Sequence, residues 1–167
     1  MIKIGLISDT HSFLDKKVLE YFDSCDEIWH AGDIGNHEVL DELEAFKPTR
    51  SVFGNIDDKA IQGRTIEDLV FEVEGVKVFI THIGGKPPRY AKGITTKLKQ
   101  HKPNLFICGH SHILRVMPDK ERNLIYMNPG AAGHHGFHHV RTLLRFDIKN
   151  GKIENLEAIE LGKRGRA

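Results

Sequence analysis

The stretch LFICGHSHIL, Leu105 to Leu114, joins a short apolar run to a polar segment that carries two histidines. A continuous apolar run of this length, ended by a glycine, is typical of a strand buried on both faces of a sheet. His110 and His112 follow where that strand should end. Open α/β sheets bind their ligands outside the carboxyl ends of the strands. The stretch therefore predicts a binding site at the end of a buried strand.

Length and charge narrow the class of protein. The chain has 167 residues, which suits a single domain over residues 1–167 with a core of its own. Its 24 Lys and Arg residues nearly balance 23 Asp and Glu residues, for a net charge of +1. This balance gives no basic field for a nucleic acid or an anionic membrane surface.

Cysteine usage and hydropathy indicate the compartment. Cys25 and Cys108 are too few for a disulfide framework and lie in or after apolar segments, as expected of core residues in a reducing compartment. No apolar run approaches the ~18 residues of a membrane span, and the N-terminus lacks the cleavage pattern of a signal peptide. We therefore expect a cytoplasmic protein, and its oligomeric state stays open, with a homo-oligomer as one alternative.

The first third of the chain alternates strand-like runs with segments of helical period. Strands are predicted over residues 2–8, 26–33 and 49–55, and helices over 15–25 and 36–47, the second with Asn36 as its N-cap. A β-α-β-α-β order favours parallel strands joined by crossover helices.

The remainder of the chain has a different pattern. Residues 68–82 predict an antiparallel hairpin that turns at Glu74-Gly75, and residues 141–161 predict another that turns at Asn150-Gly151. A helix is predicted over 88–101, and the terminal residues 162–167 are predicted to be a solvated basic tail. Three further strands are predicted, over residues 104–110, 112–118 and 123–130.

Polar side chains follow five of the predicted strands. They are Asp9, His11, Asp33, Asn55, His82, His110 and His112. Each alone has a structural explanation, such as a capped turn or a residue that tolerates positive φ. Their coincidence on one rim favours a shared function, because independent explanations for all of them are improbable together.

The donor set indicates the ions that such a rim would hold. Imidazole, carboxylate and amide ligands without thiolate suit manganese, iron, cobalt, nickel or zinc. Seven ligands exceed the need of one ion but suit two ions that share a carboxylate. Residues at i and i+2 of an extended chain point the same way, so Asp9 with His11, and His110 with His112, are expected to converge.

The ordered motifs Asp9-x-His11, Gly32-Asp33, Gly54-Asn55, His82 and Gly109-His110-Ser111-His112 resemble the calcineurin-like metallophosphoesterases. The short chain and NPGAAG after Tyr126 resemble the small bacterial and archaeal phosphodiesterases of that superfamily. The resemblance implies an α/β fold, a four-layer α/β/β/α sandwich with a dinuclear centre at the strand ends. It implies a first ion held by Asp9, His11 and His112, and a second held by Asn55, His82 and His110. Asp33 would bridge them, and Asp33, Asn55 and His82 are the candidate catalytic residues.

The expected function is hydrolysis of a small phosphodiester by attack of a metal-bridging hydroxide, with two divalent ions and manganese as the leading candidate. The alternative is a non-catalytic interaction scaffold on the same fold, as in the retromer subunit that resembles these enzymes. Such a scaffold is expected to have lost ligands, whereas all seven positions here carry competent residues. A nuclease is disfavoured because no basic or aromatic track for a strand is evident.

Two positions depart from the family pattern. Ile56 stands where a histidine often follows the motif asparagine, and HIGG at His82 replaces the usual His-Gly-His. Ile56 can neither protonate a leaving group nor bind phosphate, so the acid and the substrate stay open. Four histidines in the 134–139 loop could form a third metal site, face solvent or substrate, or supply the missing acid. They are His134, His135, His138 and His139.

Overall fold

The computed structural model describes residues 1–165, in which two five-stranded sheets pack face to face between helices. The first sheet contains β1 (Ile2–Ile7), β2 (Glu27–His30), β3 (Thr49–Ser51), β11 (Val140–Lys149) and β12 (Lys152–Lys163). The second contains β4 (Asp68–Val73), β5 (Val76–Thr81), β8 (Leu105–Ile107), β9 (Leu114–Asp119) and β10 (Leu124–Pro129). The short strands β6 (Gly85–Lys86) and β7 (Arg89–Tyr90) pair with each other. The helices are α1 (Lys16–Phe22), α2 (His37–Phe46), α3 (Lys59–Gln62) and α4 (Ile94–His101).

Strand direction places several carboxyl ends at the same edge. The first sheet has the order β12-β11-β1-β2-β3, with β1, β2 and β3 mutually parallel and β11 antiparallel to β1. The second has the order β4-β5-β8-β10-β9, with β5, β8 and β10 parallel. The β-α-β-α-β order at the start of the chain therefore gives the parallel strands that the sequence predicted.

The core divides into three layers of apolar packing. Between the sheets, Leu6 and Trp29 of the first pack with Ile80 and Ile107 of the second. On the outer face of the first sheet, apolar residues of α1, α2 and α3 pack over β1, β2 and β11. On the outer face of the second, α4 packs over β5, β8 and β10. The predicted four-layer α/β/β/α sandwich is confirmed.

Both predicted hairpins are present with their predicted turns. Asn150 and Gly151 have φ of 50° and 77°, and Glu74 and Gly75 have φ of 48° and 79°. Positive φ at both central residues matches the right-handed twist of the flanking strands, and asparagine and glycine adopt it at little cost. These turns fix the register of β4 with β5 and of β11 with β12.

The predicted helix over 88–101 is wrong in its first half. Arg89 and Tyr90 lie in β7, and the helix begins only at Ile94. Gly93 sits at the N-cap with φ of 83°, a left-handed conformation that no helix interior accommodates. The short elements α3, β6 and β7 were not predicted, because two to four residues carry too little periodicity.

The C-terminal prediction is partly wrong. Gly162 and Lys163 belong to β12 rather than to a solvated tail, and residues 166 and 167 lie outside the described residues. Within residues 1–165, no helix combines the length and the apolar character that crossing a membrane requires.

Candidate metal centre

The ends of five strands bring the seven predicted ligands to one edge, where the two sheets meet. Asp9 and His11 follow β1, Asp33 follows β2, and Asn55 follows β3. His82 follows β5 directly, while His110 and His112 follow β8. These residues lie in the loops that leave the sheets, one to five positions beyond the last residue of each strand.

The side chains form two compact groups. Ligand atoms of Asp9, His11 and His112 lie within 4.8 Å of one another, and so do those of Asp33, His82 and His110. Asn55 joins the second group, since its Oδ1 lies 3.1 Å from Nδ1 of His110.

The carboxylates of Asp9 and Asp33 link the two groups. Asp9 Oδ1 lies 3.1 Å from His112 Nε2, 3.7 Å from His11 Nε2 and 3.7 Å from His82 Nε2. Asp33 Oδ2 lies 3.5 Å from His11 Nε2 in the first group and 3.2 Å from His82 Nε2 in the second. Asp33 is therefore placed between the groups, as a bridging ligand would be.

The backbone at these strand ends departs from the extended form assumed in the sequence argument. Asp9, His11, Asp33, His110 and His112 all have φ between 45° and 69°. The extended-chain premise of the i, i+2 argument is thus wrong. Asp9 and His11 nevertheless share one group, and His110 and His112 enter two different groups, as the family resemblance implied. Left-handed non-glycine residues are costly and cluster at functional sites, where the surrounding structure holds them in place.

Two motif glycines are required by close approach to the carboxylates. A Cβ at Gly54 would lie 2.1 Å from Asp33 Oδ1, and a Cβ at Gly109 would lie 2.7 Å from Asp9 Oδ2. Any side chain at either position would displace a carboxylate. The Gly-Asn and Gly-His pairs therefore combine a ligand with the space that its neighbour needs.

Hydrogen bonds behind the ligands fix their orientation. Asp9 Oδ2 accepts from the Ser8 hydroxyl at 2.6 Å and from the His110 N–H at 3.1 Å, which leaves Oδ1 facing the histidines. His82 Nδ1 lies 2.7 Å from the Ala31 carbonyl oxygen, which can only accept. His82 Nδ1 therefore carries the proton, and the lone pair of Nε2 is directed at the centre.

Asp57 connects two of the loops that carry the predicted ligands. Its carboxylate accepts from three backbone N–H groups. They belong to Ile34, Gly35 and Gly54. Asp57 thus ties the loop after β2 to the loop after β3, and so positions Asp33 relative to Asn55.

The pKa shifts reflect this crowding of charged groups. Burial acts to raise the pKa of Asp9, but contacts with His11, His112 and His82 outweigh it, and the pKa lies below its usual range. Burial opposes the shift in the other two groups as well. The contact with His82 lowers the pKa of Asp33, and Asp33 and Asp9 raise the pKa of His82. Both carboxylates are therefore ionised at neutral pH.

Three buried atoms in the described residues have no hydrogen-bond partner and point into this space. They are Asp9 Oδ1, His11 Nε2 and His82 Nε2. Leaving such atoms unpaired is costly, so a ligand is expected between them. Donors bound at about 2.0–2.2 Å to a divalent ion lie roughly 3.0–3.4 Å apart, close to the separations seen here. The residues present therefore fit divalent cations.

The rim around these ligands is apolar. Ile56, Ile83 and Ile113 are 46%, 44% and 57% exposed. Ile56 and Ile113 line a cavity of 410 Å³ together with His11, Asp33, Asn55, His110 and His112. The sequence singled out Ile56 and Ile83 only as missing polar groups, and Ile113 gave no signal because an isolated isoleucine after a histidine pair is unremarkable.

The histidines of the 134–139 loop separate into different roles. The His135 ring lies 4.7 Å from that of His11 and lines the same cavity as Ile56. His134 packs on Phe13 at 3.8 Å between ring centroids, and its Nδ1 contacts the Arg164 carbonyl. The two metal-competent groups found in the described residues include none of these four histidines. His135 and His138 are thus the loop histidines that line this cavity with Ile56.

A two-sheet sandwich with paired carboxylate and histidine groups at its strand ends defines a metal-dependent hydrolase class. The family comparison makes this specific. Residues 2–151 match the model of the calcineurin-like phosphoesterase superfamily domain, so the chain belongs to that family. The resemblance expected from the motifs is thereby confirmed.

Archaeal relatives agree with this assignment. The chain is 32% identical over 139 residues to a probable metallophosphoesterase of Methanothermobacter thermautotrophicus, covering 77% of this chain and 76% of the relative. It is 31% identical over 137 residues to a probable metallophosphoesterase of Methanocaldococcus jannaschii, covering 77% and 67%.

Solved structures share the fold at lower identity. Vps29 of Entamoeba histolytica, solved in complex with Zn²⁺, superposes with a TM-score of 0.76 at 16% identity, over 98% of this chain and 100% of the other. YfcE, a phosphoesterase from E. coli, gives 0.66 at 20% identity, over 95% and 100%. These likenesses show the fold alone.

Proposed function

We propose that this chain is a phosphodiesterase that uses two divalent metal ions. The observation that carries the proposal is the convergence of three buried, unpartnered donor atoms from Asp9, His11 and His82. Two compact ligand groups lie around them, with Asp33 between the groups. Two metal ions about 3.5–4 Å apart suit a displacement at phosphorus, because together they hold the attacking and the leaving oxygen.

The proposed ligand sets follow the two groups. Asp9, His11 and His112 hold the first ion, and Asn55, His82 and His110 hold the second, while Asp33 serves both. Two observations support this division into two sets. The carboxylate and imidazole ligand atoms of each compact group lie within 4.8 Å of one another, and Asp33 Oδ2 lies between the two groups. The second set is the more open one, because Asn55 and His110 are exposed.

When bound, the two cations supply a hydroxide nucleophile and positive charge against the phosphoryl oxygens. The protein residues hold them and orient the donors. The backbone N–H of Ile56 donates to Asp33 Oδ1 at 3.1 Å and so orients the carboxylate that would serve both ions. The Ala31 carbonyl holds His82 in the tautomer whose Nε2 can bind metal. Ile56 offers no proton, so a leaving group beside it departs without acid from that position.

We propose manganese as the preferred ion, with nickel, iron, cobalt and zinc as competitors. Four histidines, two carboxylates and one amide form a nitrogen-rich, thiolate-free set that suits borderline ions. Magnesium prefers oxygen ligands and retains several waters, so it suits this set poorly.

We propose a small diester as the substrate. The cavity above the ligands measures 410 Å³, which suits a small molecule rather than a polymer. The net charge of +1 gives no field to attract a nucleic acid strand. We further propose that residues 1–167 form one domain and that the protein is cytoplasmic, in keeping with its two buried free thiols.

A non-catalytic interaction scaffold is the second candidate, favoured by the likeness to Vps29 and by Ile56 in place of an acid. A scaffold has no need to keep seven ligands or to hold five of them in left-handed backbone. The strain and the intact ligand set therefore favour the enzyme.

The decisive experiment is a hydrolysis screen of the manganese-reconstituted protein against phosphomonoesters, linear diesters and cyclic nucleotides. The proposal expects turnover of at least one diester that stops on chelation and is lost in Asp33→Asn. Monoester turnover alone would refute the diester specificity. No turnover of any substrate, with both ions bound, would favour the scaffold.

A further inference from the structure

A second cavity, of 300 Å³, adjoins the metal centre on the side of the second sheet. His110, Ser111 and Ile113 line both this cavity and the one above the ligands, so the two are neighbours. The rest of its wall comes from the β5–β7 region, the end of β8, β9 and β10. These residues are Ile83, Gly85, Lys86, Ala91, Gly109, Arg115 and Tyr126.

The walls of this side cavity combine apolar surface with positive charge. Ile83 and Ile113 are 44% and 57% exposed, and both line the cavity together with His110. Lys86 and Arg115 are the two charged lysine or arginine residues among the lining residues, and no acidic residue lines the cavity. Apolar walls with few polar groups are typical of ligand pockets, and this lining favours an anionic ligand.

The side cavity gives a role to Ile83, which departs from the family pattern. This residue follows the proposed ligand His82 directly, where the family pattern has a glycine and then a histidine. The change places an apolar side chain on the side cavity at Ile83, and the histidine of the pattern is replaced by Gly84. Exposed apolar residues gathered at a site are a marker of binding.

We propose that the side cavity binds the leaving group of the diester, and that this group is apolar, of the size of an aromatic ring, and carries a negative charge. The proposal rests on the proposed function. With one ester oxygen at the ions, the substituent would extend past the residues that line both cavities and reach Ile83. Lys86 and Arg115 then face the charge on that substituent.

Binding of phosphonates to the manganese-loaded protein tests this without turnover. Phenylphosphonate should bind about 10- to 100-fold more tightly than methylphosphonate, because it buries an aromatic ring. A carboxylate at the para position should tighten binding further, and Lys86→Ala with Arg115→Ala should remove that gain. Ile83→Ser and Ile113→Ser should each reduce the phenyl preference several-fold, whereas Leu156→Ser, an exposed residue of β12, should leave it unchanged.

The outcomes separate the two proposals. Equal affinity for phenyl- and methylphosphonate, or a phenyl preference untouched by Ile83→Ser and Ile113→Ser, would overturn the side cavity as a subsite. Diester hydrolysis in the same preparation would still stand as evidence for the proposed function. Conversely, the protein could hydrolyse no substrate and yet lose its phenyl preference when the cavity residues are changed. That outcome would support the binding site and refute the proposed enzymatic activity.

Contacts on the opposite side of the centre carry an independent proposal about His138. His112 directs Nε2 at Asp9 Oδ1, 3.1 Å away, and its other nitrogen, Nδ1, lies 3.3 Å from Nδ1 of His138. His138 Nε2 lies 2.8 Å from the Gly133 carbonyl oxygen. Gly136 leaves the room for this contact, since a Cβ there would lie 2.2 Å from His112 Nδ1.

The Gly133 carbonyl determines where the protons lie. A carbonyl only accepts, so His138 Nε2 carries a proton, and neutral His138 presents a lone pair at Nδ1. His112 must then donate through its own Nδ1–H, which leaves Nε2 with the lone pair that a metal needs. We infer that His138 is a positioning residue that selects the metal-binding tautomer of His112.

Tautomer and affinity measurements test this role. In metal-free protein, Asp9 Oδ1 competes for a proton on Nε2 of His112. ¹⁵N ring shifts should therefore show a larger share of Nδ1-protonated His112 in the wild type than in His138→Ala. Loss of such an outer partner should weaken the first manganese site by about 10- to 100-fold. His138→Asn, which can offer an acceptor oxygen near Nδ1, should restore part of the affinity, and exposed His139→Ala should change neither readout. Unchanged tautomer and affinity in a folded His138→Ala protein would overturn the assignment.

Discussion

The inner wall of the metal centre and its rim differ in burial and in agreement with the family pattern. Asp9, Asp33 and His82 of the inner wall are buried, are hydrogen-bonded to the backbone or to Ser8, and occupy the family positions. Ile56 and Ile83 of the rim are exposed and depart from those positions. Under the proposed function, the chain thus keeps the residues that would hold the ions and changes residues that would meet the substrate.

This difference separates metal binding from substrate selectivity, two properties that a motif search treats together. Replacing an inner ligand leaves buried charges and lone pairs unmatched, so such changes are costly. Replacing a rim residue alters only solvent-exposed surface, which folding tolerates. We therefore expect inner-wall variants to lose metal and activity together, and rim variants to change selectivity while metal content is retained.

The largest effect is expected for Asp33→Asn. One carboxylate serves both ions, so the amide should remove most of the bound metal and lower the rate on the order of 10³-fold or more. Elemental analysis and diester hydrolysis measure the two losses. Asp41→Asn, at an exposed residue of α2, is the matched control and should retain both.

His112→Ala should have a smaller and more selective effect. It removes one ligand from the first group, so we expect one metal equivalent to remain in the second and activity to fall roughly 10²-fold. Metal titration followed by calorimetry distinguishes the sites. Loss of both equivalents would instead indicate that the two sites form only together.

The buried His30 predicts that the free energy of unfolding of the metal-free protein depends on pH. Burial lowers the pKa of His30 from 6.5 to about 4. Between these values the unfolded chain binds a proton that the folded protein does not, so the free energy of unfolding should decrease as pH falls, by about 3 kcal/mol. His82 contributes in the opposite direction above pH 6.5. Its pKa is raised in the folded protein, so the stabilisation that its protonated form gives to the fold is lost as pH rises.

Chemical denaturation of the chelated protein from pH 4 to pH 7 measures this dependence. His30→Asn should reduce the slope, since it removes the titrating ring. An unchanged slope in that variant would show that another group dominates acid destabilisation.

The smallest predicted effect concerns Ile56. Without an acid there, the rate should depend steeply on the leaving-group pKa, and Ile56→His should flatten this dependence, with a gain of about 10-fold for poor leaving groups. The slope of log kcat against leaving-group pKa over a diester series is the measurement. A slope that is shallow in the wild type and becomes steep in His135→Ala would instead place the acid on the 134–139 loop.

The strands and the polar side chains beyond them could be predicted from strong local signals, whereas the four-layer arrangement was implied by the family resemblance. Apolar runs that end near Asp9, Asp33 or His110 mark strands and the edge where they stop. The turn at Asn150-Gly151 was predictable because asparagine and glycine adopt positive φ readily, and the turn at Glu74-Gly75 because alternating runs flank its glycine.

What the sequence could not supply depends on contacts between distant segments. The contact of His138 with His112 joins residues 26 positions apart, and no pattern announces it. The left-handed backbone at Asp9 and His112 is imposed by packing at the strand ends, against local preference. The side cavity likewise arises only when Ile83 and Ile113 meet across two strands.

The central claim is that two bound ions at these strand ends perform diester hydrolysis. Its most direct test is a manganese titration of chelated protein, with metal content and diester turnover measured on the same samples. The account predicts that turnover rises with manganese to a plateau at two equivalents per chain, and that magnesium restores much less. Full turnover in excess EDTA, with no metal retained, would contradict it.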